Sequence, residues 1–210
     1  LISHLLLDDQ FSSLNDNLRA LEISNLNSQA QIDNYLLKTV NHAKVVVLRL
    51  FGDKGTWSYG LDQLLRWQEL NNQRRLLILS GTEEEELTLC EQSSIDLNIS
   101  LLLSKLLRSG GLENYRKFLK CLNYLLDTQI SIPKKYTSII SYEDPYLYDW
   151  KNEKGDKIAI ISYKSLFLAN EIELTKKLNS HLRLNGLSPK TVFVSSLKDQ
   201  NIQKKLINIF

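Results

Sequence analysis

Short apolar runs alternate along this chain with stretches whose apolar residues recur every third or fourth position. Residues 1–7 predict a strand and residues 11–20 a short amphipathic helix, with a weaker strand expected near 21–23. Over 27–42, Ile32, Tyr35, Leu36 and Val40 share one face at helical spacing, which predicts a helix. Residues 44–51 (KVVVLRLF) form the plainest strand, and their continuous β-branched character suits a parallel strand covered on both faces. A helix over about 58–70 and a strand over 75–79, ending in Ser80-Gly81, come next. Beyond the acidic run Glu83 to Glu86, helices are expected over about 95–107 and 112–126, parted by Gly110-Gly111.

Between residues 131 and 155 the periodicity is lost. Pro133, Pro145 and five aromatics (Tyr136, Tyr142, Tyr146, Tyr148 and Trp150) mark a connector packed against something, unlike a Gly/Ser linker. The α/β pattern then resumes with a strand over 157–162, a helix over about 169–184, a strand over 191–195 and a last helix over 198–209. Alternating strands and helices predict parallel sheets built from βαβ units. The expected fold class is therefore α/β: a flavodoxin-like parallel-sheet domain over 1–130, the aromatic connector over 131–155, and the first βαβα portion of a second α/β domain over 156–210. Two strands and two helices do not make an ordinary independent core, so the second domain is expected to be truncated. The chain, which has no methionine and begins within an apolar run, is expected to be a piece of something longer.

Composition narrows the classes. The 210 residues are 43% hydrophobic and 24% charged, which excludes disordered and collagen-like chains. A formal net charge of +2 gives no electrostatic case for nucleic acid or membrane binding. No apolar run approaches the roughly 20 residues that span a bilayer. Cys90 and Cys121 lie 31 positions apart without a CxxC, the usage of a reducing compartment. No signal leader is visible, so a cytoplasmic protein is expected. His4, His42 and His181 fall in different elements and form no metal set, and Glu83 to Glu86 is expected to be a solvated loop or a helix start.

Candidate chemistry gathers at the carboxyl ends of strands, where ligands bind open parallel sheets. The first candidate loop runs from Arg49 through Trp57 and Tyr59 to Gly60; Arg49 is suited to holding an anion or carboxylate bidentately, or equally to pinning the loop through an internal salt bridge. Its glycine spacing matches neither nucleotide-binding pattern. The second is Tyr163-Lys164-Ser165, whose hydroxyls and ammonium suit carboxylate or amide groups, against a plainer reading as loop polarity. The third is Ser195-Ser196-Leu197-Lys198-Asp199, where the serines are also suited to capping the next helix.

These loops carry a family resemblance. AKVVVLRLFGDKGTWSYGLDQL (43–64) resembles the N-terminal region of the large cobaltochelatase subunit, with its strand ending in Arg-Leu, a Gly-containing turn, Trp-x-Tyr-Gly and a helix. Ser80-Gly81, Gly110-Gly111, KIAIISYKSLFLAN (157–170) and above all VFVSSLKD (192–199) follow in the family's order. Lys164 stands where the family has arginine, Leu166 where a polar residue is common, Asn170-Glu171 where Gly-Asn is usual, and Asp53 replaces a second glycine. The related magnesium chelatase porphyrin subunit runs through Gly-Leu-Asp where this chain has Ser-Ser-Leu-Lys, which favours the cobalt branch.

The resemblance implies a much longer cytoplasmic subunit that inserts Co(II) into a metal-free corrin, hydrogenobyrinic acid a,c-diamide, in cobalamin biosynthesis. It implies AAA+ motor partners that hydrolyse ATP with Mg, and no cofactor, nucleic acid or membrane bound by this stretch. Insertion requires removal of two pyrrole-type N–H protons, so bases and metal ligands are expected outside residues 1–210 and no activity from this stretch alone. Substrate-binding candidates are Arg49, Trp57, Tyr59, Tyr163, Lys164, Ser165, Ser195, Ser196 and Lys198. The alternatives are part of a magnesium chelatase porphyrin-binding subunit, or a stand-alone flavodoxin-like module for a small anionic ligand.

Overall fold

In the computed structural model, which describes residues 18–52, 54–126, 131–151 and 154–210, the chain divides at Ile140 into two units. The strand expected over 1–7 and most of the helix expected over 11–20 lie outside the described residues. Where a weak strand was expected near 21–23, Ile23–Asn25 instead forms a 3-10 turn.

In the first unit α1 (Gln29–Lys38) begins at a capping box. The Gln31 N–H donates to Ser28 Oγ at 3.3 Å, and the Ser28 N–H donates to Gln31 Oε1 at 3.1 Å, which satisfies two donors that a helix start leaves free. Strand β1 (Val45–Leu50), helix α2 (Ser58–Glu69) and strand β2 (Arg75–Ser80) form a βαβ unit with β1 and β2 parallel, from Val45 opposite Arg75 to Leu50 opposite Ser80. Leu48, Leu50, Leu61, Leu64, Trp67, Leu76, Ile78 and Leu89 pack into one core. The complete covering expected for residues 44–51 belongs to β2, whose Leu76 to Ser80 are all 0% exposed, while β1 buries only Leu48 and Leu50. Two serines close the other edge of β2. The Leu76 N–H donates to Ser94 Oγ at 2.8 Å and the Ile78 N–H to Ser93 Oγ at 2.9 Å, so side chains stand in for a neighbouring strand.

Short α3 (Glu86–Cys90) leads to α4 (Leu97–Ser109), which Asp96 caps, then α5 (Leu112–Leu125) and a single turn, α6 (Lys134–Thr137). The sharp turn between α4 and α5 needs its two glycines: Gly110 and Gly111 have φ of 65° and 82°, left-handed values that side-chain-bearing residues rarely adopt. The Asn114 side chain donates to the Gly110 carbonyl at 2.7 Å and fixes that turn.

The second unit holds a three-stranded sheet in the order β3 (Tyr146–Tyr148), β5 (Ser188–Val194), β4 (Lys157–Tyr163). β4 and β5 are parallel, whereas β3 joins β5 antiparallel. The sequence reading expected only the two parallel strands; part of the aromatic connector supplies the third. Tyr142, Tyr146, Tyr148, Phe167 and Phe193 stack in one cluster, with ring centroids of neighbours 4.4 to 6.1 Å apart, and this cluster holds β3 in place. β5 starts three residues before the expected Thr191 and contains Pro189, tolerated because β3 pairs only with Thr191 to Phe193 and leaves that side of Pro189 without a ladder partner. α7 (Lys164–Leu168), α8 (Glu173–Leu184) and α9 (Gln200–Ile209) complete the unit. Val192, Val194, Ile202 and Leu206 form its small core. Among the described residues, no helix is long and apolar enough to cross a membrane.

Candidate functional site

The parallel pairing of β1 and β2 sets their carboxyl ends side by side, and the Gly81 N–H donates to the Leu50 carbonyl at 2.6 Å. Arg49, one residue before the end of β1, has its guanidinium carbon 4.8 Å from the centre of the Phe51 ring. That ring packs closely against Gly81, where a Cβ would come within 2.4 Å of it. Tyr115 of α5 is close enough for its phenol and the Arg49 charge to influence each other's ionisation. Burial pulls the guanidinium below its ordinary pKa and pushes the Tyr115 phenol up. Arg49 Nε is shielded from solvent and makes no hydrogen bond among the described residues.

The other two candidates from this loop turn elsewhere. Trp57 packs against the core with its indole over Gly60, where an added Cβ would be 2.3 Å from the ring. The Tyr59 hydroxyl donates to Asp33 of α1 at 2.8 Å, and that bond raises its pKa. It ties α2 to α1.

The second and third candidate loops come together, because β4 and β5 are neighbours with Tyr163 opposite Val194. Tyr163 is the last residue of β4 and 60% exposed, and Ser165 is exposed on α7. Lys164 opens α7 and turns inward: its ammonium donates to the Tyr142 carbonyl at 2.7 Å and lies 3.9 Å from Asp144 Oδ2. Asp144 Oδ1 accepts the Ser195 N–H at 3.2 Å, and the Asp144 carbonyl accepts from the Lys205 ammonium at 3.0 Å. Ser196 Oγ accepts the Lys198 N–H at 3.1 Å. Neither serine caps α9. Asp199 does so, its Oδ1 accepting the N–H groups of Asn201 at 2.7 Å and Ile202 at 3.3 Å. The Ser195 backbone and the side chain of Lys198 remain on an exposed loop.

Sequence reasoning missed Asp144, Lys205 and Tyr115. Nothing local marks Tyr115, which is one aromatic among several on an amphipathic helix; Asp144 stands before Pro145 in an aromatic-rich stretch, the only hint of an ordered turn. The acidic run ends in the expected helix start rather than lying wholly in a solvated loop. Arg108 pairs with Glu83 at 3.0 Å and with Glu86 at 3.2 Å, and Glu86 is buried as the first residue of α3. Among the described residues, no group of three or more His, Cys, Asp or Glu is placed to hold a metal ion.

The similarities of this chain fall on one class of protein, the cobaltochelatases. No family model matches it. In sequence it is 25% identical, over 94% of its length, to the aerobic cobaltochelatase subunit CobN of Pseudomonas aeruginosa. In structure it matches the catalytic subunit of cobaltochelatase from Mycobacterium tuberculosis with a TM-score of 0.72 and 20% identity, over 93% of this chain. The resemblance read from residues 43–64, 157–170 and 192–199 is borne out: the chain is a CobN-like region with an α/β fold. It spans about a sixth of each relative's length, 17% of one and 16% of the other.

Proposed function

We propose that this chain works as part of the large subunit of a cytoplasmic, ATP-dependent cobaltochelatase. Its substrates are Co(II) and a metal-free corrin, hydrogenobyrinic acid a,c-diamide, and partner AAA+ subunits hydrolyse ATP with Mg. The observation that carries this reading is a likeness to CobN that runs through 94% of the chain, rather than through one motif. Ring metalation needs two N–H protons removed and a desolvated metal presented to a distorted ring. In this reading the bases and metal ligands are supplied by other parts of the subunit. The role of this stretch is to hold the periphery of the ring or to shape its cavity, through the loop after β1 in the first unit or the loops after β4 and β5 in the second.

The test is cobalt insertion by the full-length protein with its motor subunits, ATP and the corrin, followed by the change in the ring's absorption spectrum. Insertion that stops when residues 192–199 are replaced by a Gly/Ser loop, in a protein that stays folded, is the expected result. Magnesium insertion into protoporphyrin, with no cobalt insertion into the corrin, would move the chain to the magnesium chelatase relatives. Tight flavin or nucleotide binding without either insertion would favour the binding-module reading.

A further inference from the structure

Arg49 has no ion pair and no hydrogen bond to its Nε among the described residues, and that Nε is fully shielded. Arg49 is half-buried, so part of its guanidinium is shielded without a partner, which is costly, and a guanidinium can take a carboxylate through two parallel N–H···O bonds. Its surroundings select what arrives. Phe51 covers one face of the guanidinium, yet its own ring is 65% exposed and offers apolar surface beside the charge. Gly81, without a side chain, lets that ring pack closely at the strand end.

The geometry points to Arg49 as the anchor for a carboxylate borne on a flat, largely apolar ring, with Phe51 as the surface the ring lies on. That the ring is a tetrapyrrole rests on the function proposed above; the carboxylate subsite itself does not.

The experiment is modification of Arg49 by phenylglyoxal in the full-length protein, followed by mass spectrometry of the peptide, with benzoate, benzamide or acetate present at equal concentration. Benzoate is expected to slow the reaction of Arg49 several-fold, while benzamide leaves it unchanged, acetate protects less, and Arg75 reacts alike in all three. Equal rates with benzoate and benzamide overturn the proposal. Equal protection by acetate overturns the part played by the ring. An Arg49 inert in every buffer, and still inert after Phe51→Ala, makes it a structural arginine and also overturns the proposal. Asp53 is the nearest acid in sequence; if Asp53→Asn releases Arg49 to the reagent and benzoate does not protect it, the guanidinium belongs to an internal pair. In the cobalt-insertion assay, Arg49→Gln is expected to raise KM for the corrin about tenfold or more with kcat little changed, and Arg49→Lys to recover part of that loss. Benzoate protection with an unchanged KM would keep the subsite and sink its link to the tetrapyrrole. Normal cobalt insertion without protection would sink the subsite and leave the chelatase reading standing.

Discussion

Asp144 Oδ1 accepts the backbone N–H of Ser195 at 3.2 Å across a separation of 51 residues. The same aspartate draws the Lys164 ammonium to 3.9 Å through its other oxygen, and its carbonyl takes the Lys205 ammonium. One residue thereby fixes both candidate loops of the second unit and the helix behind them. Asp144→Ala is expected to lower stability by about 1–3 kcal/mol, the usual loss when a charge-assisted hydrogen bond is removed and its donors are left partly shielded. Asp144→Asn keeps an acceptor for Ser195 and is expected to lose less. Urea unfolding of the three proteins checks this; identical midpoints would mean that the loops hold their shape without the aspartate.

Gly60 and Gly81 should answer differently to the same change. A Cβ on Gly60 meets the Trp57 indole at 2.3 Å, and that ring is held in the core. Gly60→Ala is expected to destabilise by about 1–3 kcal/mol, against the roughly 1 kcal/mol that alanine normally gains inside a helix. A Cβ on Gly81 meets Phe51, whose ring is 65% exposed and free to swing aside. Gly81→Ala is expected to change stability little while weakening any ligand that lies on Phe51. Unfolding midpoints of both variants, with benzoate titration of the second, separate the two cases.

Glu86 is buried against Arg108, and its Oε1 already lacks a hydrogen-bond partner. Arg108→Ala leaves that carboxylate without its cation and is expected to cost about 3 kcal/mol, the scale for breaking a buried pair from one side. Adding Glu86→Gln to Arg108→Ala should recover part of the loss, because the leftover group is then neutral. A double-mutant cycle by urea unfolding measures both terms, and an additive cycle would show the pair to be uncoupled.

Burial pushes the Cys121 thiol from an ordinary 9.0 up to about 11, and burial also raises Cys90. At pH 8 both are expected to resist iodoacetamide in the folded protein and to react once it is unfolded. A thiol whose pKa is raised on folding contributes its full stability below pH 9, and that contribution is lost as pH climbs towards 11, because the unfolded thiol ionises first. The unfolding midpoint should therefore fall between pH 9 and 11, and Cys121→Ala should flatten the fall. Equal slopes in the two proteins would remove Cys121 as a cause.

The helices Ser58–Glu69, Leu97–Ser109 and Leu112–Leu125 and the strand Arg75–Ser80 were legible to within two residues at each end. Apolar period, caps and glycines are local signals, and each lies within a turn or two of the element it marks. The candidate site was legible only in part. Arg49, Lys164 and Ser195 stand at or beside strand ends where the pattern put them, but the partners of two of them come from elsewhere in the chain: Tyr142 and Asp144 for Lys164, and Asp144 again for Ser195.

By itself the sequence determined the α/β alternation, the parallel character of the Val-rich strand and the order of motifs that makes the chain CobN-like, because each is written in neighbouring residues. Only the tertiary structure decided that Tyr146–Tyr148 closes the second sheet as an antiparallel edge, that two serines close the edge of β2, that Trp57 packs on the core while Tyr59 bonds to Asp33, and that Arg49 Nε has no hydrogen-bond partner among the described residues. Those outcomes depend on which groups meet after the chain has closed loops of tens of residues. The side chains that compete for each partner are then chosen by geometry and desolvation rather than by position along the sequence.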